Sequence, residues 1–323
     1  MARGPEKEVT ETVATLEGTG RPFEMSGGII VATDGSRDSD GSVRVGLALA
    51  RRDARPVTLL SVVEPLPVYE IDAIAAVDVE QLTSVARESL EVALHAQHLR
   101  THPGIPDWPY TIDVGGRVDT IVTAGERNGA SLIVLGLGEH GVAARLFRRE
   151  TALRVIRSAT IPVLAVPMYA WGIPHSAIAA IDFTQSSEDA ARAALDLLAG
   201  AGTLYLAHVS PRVPIPQGDS RSWEEVTSSG NVARLEAVAD RLNVPPGVQV
   251  EYVTLHGEPA NELTAFAEEF KVDLIAAGAH GRTALGRFML GSVSSKLIRT
   301  ANCWVLVAPP RPEADEAEAI HSA

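Results

Sequence analysis

The chain has 323 residues, a formal charge of −13, 46% hydrophobic residues and one cysteine, so it is long enough for about two domains with substantial cores. Its negative charge disfavours nonspecific binding to nucleic acid or to an anionic membrane, and Cys303, inside an apolar run with no second cysteine to pair with, is expected as a buried core residue. Residues 1–24 carry no apolar core of a secretory signal, and no apolar run approaches the ~18 residues of a membrane span, so a cytoplasmic protein is expected.

The first 25 residues are polar and mixed in charge and read as a mobile tail, with a short helix conceivable at Thr10–Leu16. Order is expected from Ile29–Thr33, a short apolar strand that ends in Asp34-Gly35-Ser36. Val43–Arg51 sets Val43, Leu47 and Ala50 on one helix face, and Val57–Val62 follows as a second strand, which implies a parallel pair with a right-handed crossover. A loop around Pro67 leads to a long helix over Val77–Leu99 and to an alternating strand, Tyr110–Val114. Val118–Asn128 is helical and closed by Gly129, Leu132–Leu135 is a fully apolar strand suited to a covered sheet, and a helix over Arg145–Arg157 precedes the strand Val163–Pro167.

The same order then recurs. Ala177–Asp182 repeats the first strand with its terminal aspartate, Ser186–Leu198 the first helix, and Leu204–Val209 the second strand. Val232–Leu242, Val248–Val253 and Pro259–Phe270 continue the series, and the 32 residues Gly136–Pro167 align without a gap with Gly278–Pro309. Two copies of one α/β unit follow: residues 26–168 and residues 175–310, joined near Tyr169–His175 and followed by a tail over 311–323. The expected fold is two tandem open, mostly parallel five-stranded sheets with helices on both faces.

One stretch of the second copy carries chemistry. Gly278-Ala-His-Gly281, nine residues Arg282–Leu290, and then Gly291-Ser292 lie between an apolar strand and a helix whose Val293, Leu297 and Ala301 recur every four residues. Glycines there let backbone N–H groups approach an anion, a helix start favours negative charge, Ser292 adds a hydroxyl, and Arg282 or Arg287 adds positive charge. A loop that merely turns the chain accounts for the glycines equally well.

The spacing Gly278, Gly281, Gly291-Ser292, closed by Trp304–Pro309, resembles the ATP-binding signature of the universal stress protein family. The resemblance implies an open α/β sheet with ATP, or ADP or AMP, held across the crevice at the strand ends, and Mg²⁺ as a companion of the phosphates. It implies that Asp182 meets the adenosine part, that the backbone of Val209 meets the adenine edge, and that Gly278, Gly281, Gly291 and Ser292 surround the phosphates; from their place in the loop, Arg282 is a candidate cation there, and His280 reads equally as a phosphate contact or as a solvated loop histidine. Asp34 and Val62 are the first-copy counterparts, and the bulk of Phe183 is expected to narrow the adenine pocket. Taken alone, Asp182 reads equally as an Asx turn or helix cap.

The resemblance further implies a nucleotide-dependent regulator of stress survival with an unidentified protein partner. It also implies pairing of Val163–Val166 with Trp304–Val307 as an intramolecular pseudo-dimer, with a homodimer as the alternative. Slow ATP hydrolysis and a nucleotide-free interaction scaffold are the rival functions, and no residue stands out as catalytic.

The first copy lacks the Gly-Ser pair. Arg149-Glu150 stands opposite Gly291-Ser292, a carboxylate there would repel a triphosphate, and Arg145, Arg148 and Arg149 read as a solvated helix face. The first copy is therefore expected to bind nucleotide weakly or not at all. Gly136-Leu-Gly138-Glu-His-Gly141 matches the dinucleotide fingerprint, but it follows the fourth strand rather than the first and lacks the acidic residue about 20 positions on. His208 is expected in a structural role at a strand end, and no His/Cys group has metal-ligand spacing.

Overall fold

The computed structural model describes residues 27–65, 79–102, 104, 110–138, 142–198, 200–211, 223–282 and 288–309, and of residues 142–148, 223–229, 280–282 and 288–289 the backbone only. The tails expected over 1–25 and 311–323, the helix at Thr10–Leu16 and the loop around Pro67 lie outside the described residues.

In the first copy, strands β1 (Gly28–Ala32), β2 (Val57–Val63), β3 (Tyr110–Val114), β4 (Ala130–Gly136) and β5 (Val163–Val166) alternate with helices α1 (Asp40–Arg52), α2 (Val79–Thr101), α3 (Arg117–Arg127) and α4 (Val142–Ser158). The second copy runs β6 (Ser176–Ala180), α5 (Gln185–Leu198), β7 (Gly202–Ser210), α6 (Trp223–Leu242), β8 (Val248–His256), α7 (Pro259–Phe270) and β9 (Leu274–Gly278). A small hairpin, β10 (His280–Arg282) with β11 (Phe288–Met289), then precedes α8 (Ser292–Thr300) and β12 (Trp304–Ala308). The local signals are those of the sequence: Pro259 begins α7, Glu258 caps it by accepting from Asn261 N–H at 3.0 Å, and Lys271 ends it in a left-handed turn at φ 55°.

The two five-stranded units share one sheet in the order β3-β2-β1-β4-β5-β12-β9-β6-β7-β8. Within this sheet all pairs inside a copy are parallel. The pair between the copies, β5 with β12, is antiparallel, with Ala165, Leu164 and Val163 opposite Val305, Leu306 and Val307. These two last strands are the ones expected to meet, and each is buried along its whole length. Antiparallel pairing lets two identical right-handed units meet edge to edge, and it covers two apolar edges that would otherwise template aggregation.

Helices cover both faces. Buried residues of α1, α5 and α6, including Val43, Leu49, Leu197 and Leu235, form one continuous layer, and those of α3, α4, α7 and α8, including Ile121, Leu153, Leu263 and Leu297, form the other. Both layers draw residues from both copies, so the described residues belong to one compact unit. Among the described residues no helix is long and apolar enough to cross a membrane. Cys303 is half-buried against the second layer, and burial pushes its thiol up to about 12.

Three outcomes follow from this packing. Leu306→Ala at the centre of the β5–β12 seam should cost about 2–5 kcal/mol, and a urea titration should show the loss in one transition shared by both copies; two separate transitions would contradict the single sheet. At pH 8 the native protein should leave Cys303 unmodified by a thiol reagent that labels it fully once the chain is denatured. His102, half-buried after α2 and close to Arg51, His98 and Arg44, is pushed down to about 4 from 6.5, with burial the main cause. The unfolded chain thus takes up a proton at a higher pH than the folded one, so this contribution to stability is complete above pH 6.5 and drains away as the pH falls to about 4. The slope of unfolding free energy against pH in that window should become shallower in His102→Asn.

Candidate functional site

Strands β6 and β9 are parallel neighbours, but the chain leaves β6 toward β7 on one side and leaves β9 toward β12 on the other. Such a reversal opens a crevice at the carboxyl ends of the strands. A cleft of about 400 Å³ lies there, with Asp182, Ser186, His208, Val209, Gly278 and Ser294 in its wall. Three of the residues singled out in the sequence, Asp182, Val209 and Gly278, are thereby brought to one place from 27 and 96 residues apart in the chain, counting from Asp182.

Gly278 is glycine for a packing reason. A Cβ at this position would come within 2.4 Å of Ser186 Oγ and 2.7 Å of the Ser186 carbonyl group, distances that a backbone cannot relieve cheaply. Its absence lets the first turn of α5 close on the end of β9, where Ser186 Oγ donates to Ala279 O at 2.5 Å. From the other side Ser294 Oγ, in the first turn of α8, donates to Gly278 O at 2.8 Å. Two helix N-termini are therefore pinned to one strand end, and both face the cleft. Ser186 and Ser294 were not among the residues found by sequence; the available signal was a small polar residue in the first turn of each flanking helix.

Asp182 makes the Asx turn that was the plain alternative for it. Its Oδ1 accepts from Thr184 N–H at 3.0 Å and from Thr184 Oγ1 at 2.5 Å, while the residue remains exposed in the cleft wall. Asp34 does the same in the first copy, accepting from Ser36 N–H at 3.2 Å and Ser39 Oγ at 2.9 Å. The next residue adopts a left-handed backbone in both copies, φ 73° at Gly35 and φ 66° at Phe183. A bulky residue is rare in that region.

Phe183 does not narrow the cleft, contrary to the expectation from its size. Its ring is packed against the α1/α5/α6 layer, 4.6 Å from the His208 ring by centroids, with the Arg234 guanidinium 3.5 Å above it. His208 holds the structural position expected of it, its Nδ1 donating to Ile181 O at 2.7 Å, and it also lines the cleft.

The segment expected as an open glycine loop contains the β10–β11 hairpin, with His280 opposite Met289 and Arg282 opposite Phe288. Gly281 lies within β10; Arg287 and the side chains of His280 and Arg282 lie outside the described residues. Gly291 is buried and serves as N-cap of α8, at φ −61° and ψ 157°, and Ser292 is its exposed first residue. Glycine supplies no capping side chain, so the first N–H groups of α8 are left for water or an anion. Lys296, one turn further on, donates to the Glu258 carboxylate at 2.8 Å, and this bond is the main reason that Glu258 titrates below the usual carboxylate range.

The first copy has the same crevice in a smaller form, about 100 Å³, lined by the counterparts Asp34, Val62, Arg117, Gly136, Thr151 and Ala152. Two of its polar groups are already engaged: Ser39 Oγ with Asp34, and Thr33 Oγ1, which donates to Gln97 Oε1 at 2.7 Å. The larger difference is in the helix that follows the fourth strand. Helix α4 begins at Val142, about two turns before Glu150. Arg149 and Glu150, the counterparts of Gly291 and Ser292, therefore sit inside a helix, where N–H groups are consumed by the helix itself.

This corrects one reading of that segment. Glu150, within α4, is exposed and 3.4 Å from Arg299 of α8. Arg149 is not on a solvated face; it is 5% exposed and donates through Nη1 to Ile298 O at 2.9 Å and through Nη2 to Ala301 O at 3.4 Å. The side chains of Arg145 and Arg148 lie outside the described residues.

Comparison with known proteins accords with the repeat. The model of the universal stress protein family matches residues 25–167 and again residues 175–309. A universal stress protein of Mycolicibacterium smegmatis is 26% identical over 301 residues, covering 88% of this chain and 97% of that one. One from Methanocaldococcus jannaschii is 39% identical over 106 residues, 32% of this chain and 61% of that one. Among solved structures, a universal stress protein from Archaeoglobus fulgidus aligns with a TM-score of 0.59 at 19% identity, over 90% of this chain and 98% of that one, a likeness of fold. With two successive matches to one family model spanning nearly all of the described residues, the chain belongs to the universal stress protein family and carries its domain twice in tandem.

Proposed function

We propose that the second copy binds ATP, or another adenine nucleotide, and that the protein acts as a nucleotide-dependent regulator of the stress response, working in the cytoplasm on a protein partner. The two domains of this reading are residues 26–168 and 175–310, and the competent site is in the second. The observation that carries it is the coincidence, in that copy alone, of a roomy switch-point crevice and a helix that begins at the crevice.

The donor set suits a nucleotide. Asp182 and the backbone of Val209 stand at the ends of β6 and β7, where a nucleoside would offer hydroxyls to a carboxylate and a base edge to a main chain. The N–H groups after Gly291, with Ser292, suit phosphate oxygens; Gly281, His280 and Arg282 lie on the hairpin that leads to them. Gly278 keeps the floor of the crevice tight by its close contact with Ser186 and lies in the cleft wall, where its backbone is open to the phosphates. Mg²⁺, when it accompanies the ligand, would be held through phosphate oxygens and water. Contact between bound phosphate and the hairpin is the step that alters a surface available to a partner.

Calorimetry on protein freed of nucleotide tests the reading. Wild type should bind one ATP per chain, and Asp34→Ala in the first copy should bind equally well. Ser292→Asp should weaken ATP by about tenfold or more, since a carboxylate then competes for the site of the phosphates. An acidic residue at a helix start favours the helix, so its melting temperature should stay at or above the wild-type value. Absence of ATP binding by wild type would leave a nucleotide-free interaction protein as the better account.

A further inference from the structure

We propose that Arg149, a residue of the first copy, is a positioning residue for the phosphates bound by the second. The inference rests on the nucleotide reading above and adds to it a role for the copy that has no phosphate site of its own.

Helix α8 has nine residues and two anchored ends. At its N-terminus Ser294, 1% exposed, ties it to Gly278 O on β9. At its C-terminus the last carbonyls meet the Arg149 guanidinium from α4, which bridges Ile298 O and Ala301 O. A planar fork that holds two carbonyls of one helix end fixes both the height and the rotation of that helix, which a single point contact does not. The cation also stands at the negative end of the helix dipole, the favourable end for it. Because Arg149 is almost fully buried, its interaction is little screened by water.

The second link across the same junction is weaker. Arg299 and Glu150 are 3.4 Å apart but about half exposed, at 53% and 51%, a setting in which ion pairs add little. Apolar packing between the two helices is present as well, with Leu297 and Ile298 of α8 in one layer with Leu153 and Ile156 of α4. That packing resists separation but permits sliding and rotation more readily than directed hydrogen bonds do. A nine-residue helix is a short rigid rod of about 13 Å, so a tilt at its C-terminus reappears at its N-terminus. The groups displaced would be the N–H donors of Ser292 and Val293, whereas Asp182 is held in the turn after β6 and Val209 sits on β7, and both would stay in place.

Arg149 should therefore act on the phosphates and not on the nucleoside. In calorimetry on the full chain, Arg149→Met should weaken ATP about fivefold while changing adenosine affinity by less than about twofold. Arg149→Lys, which restores the charge without the fork, should recover part of the loss. Glu150→Gln should match wild type. If wild type binds ATP and Arg149→Met or Arg149→Lys keeps the wild-type ratio of ATP to adenosine affinity, the positioning role is overturned and the nucleotide site stands. An equal loss for ATP and adenosine would likewise overturn it, by marking Arg149 as a support of the whole cleft. If Arg149→Met does not fold, the Arg149→Lys ratio decides alone. Failure of wild type to bind ATP would overturn both.

Discussion

The antiparallel pairing of β5 with β12 is the contact on which the rest depends. Each copy by itself would end in a four- or five-residue strand, apolar on both faces and with an unpaired edge. Joining the two edges satisfies backbone groups that burial would otherwise leave expensive, and it makes one sheet of ten strands. The two helical layers then run without interruption from one copy to the other. Helix α4 comes to lie beside α8, and residues 149 positions apart in the chain form hydrogen bonds.

That junction makes the copies unequal neighbours. In the second copy the chain spends the residues after β9 on a hairpin and begins its helix late, at Ser292, facing the crevice. In the first, the corresponding residues are already helical from Val142, and the residue opposite Gly291 has become the buried arginine that grips the end of α8. One alignment position thus serves opposite purposes. Glycine there presents open N–H donors to the crevice; arginine there supplies a cation to the far end of the same helix in the other copy. The two copies of the domain have in this way come to differ at one position in both backbone and contacts.

The crevice itself is shaped by backbone more than by charge. Gly278 permits an approach to Ser186 that a methyl group would forbid, and serine hydroxyls on α5 and α8 bind the carbonyls exposed at the end of β9. The turn after β6 is held left-handed by the Asp182 Asx turn although it carries phenylalanine where the first copy has glycine. The Phe183 ring is compensated by His208 on one side and Arg234 on the other. Stacking of this kind offsets a backbone conformation that costs of the order of 1–3 kcal/mol.

The amino-acid sequence alone determined the ten strands of the main sheet, most helix limits, the duplication, and the absence of a Gly-Ser pair at Arg149-Glu150, because hydrophobic period, caps and glycine spacing are local and survive without a fold. It also placed Asp182, Val209 and Gly278 on strand ends that meet in one cleft. What only the tertiary structure decided were matters of long-range contact. Arg149 among other arginines reads as solvated, since nothing near it in the chain reveals the carbonyls of Ile298 and Ala301. Phe183 reads as an intruder in the crevice, since its left-handed φ and its partners on other elements are not written in its neighbours. The close packing of Gly278 against Ser186 is likewise invisible in the chain around either residue. In each case the residue type was visible, but its role depends on which distant backbone or side chain occupies the space beside it, and that is fixed only when the sheet closes.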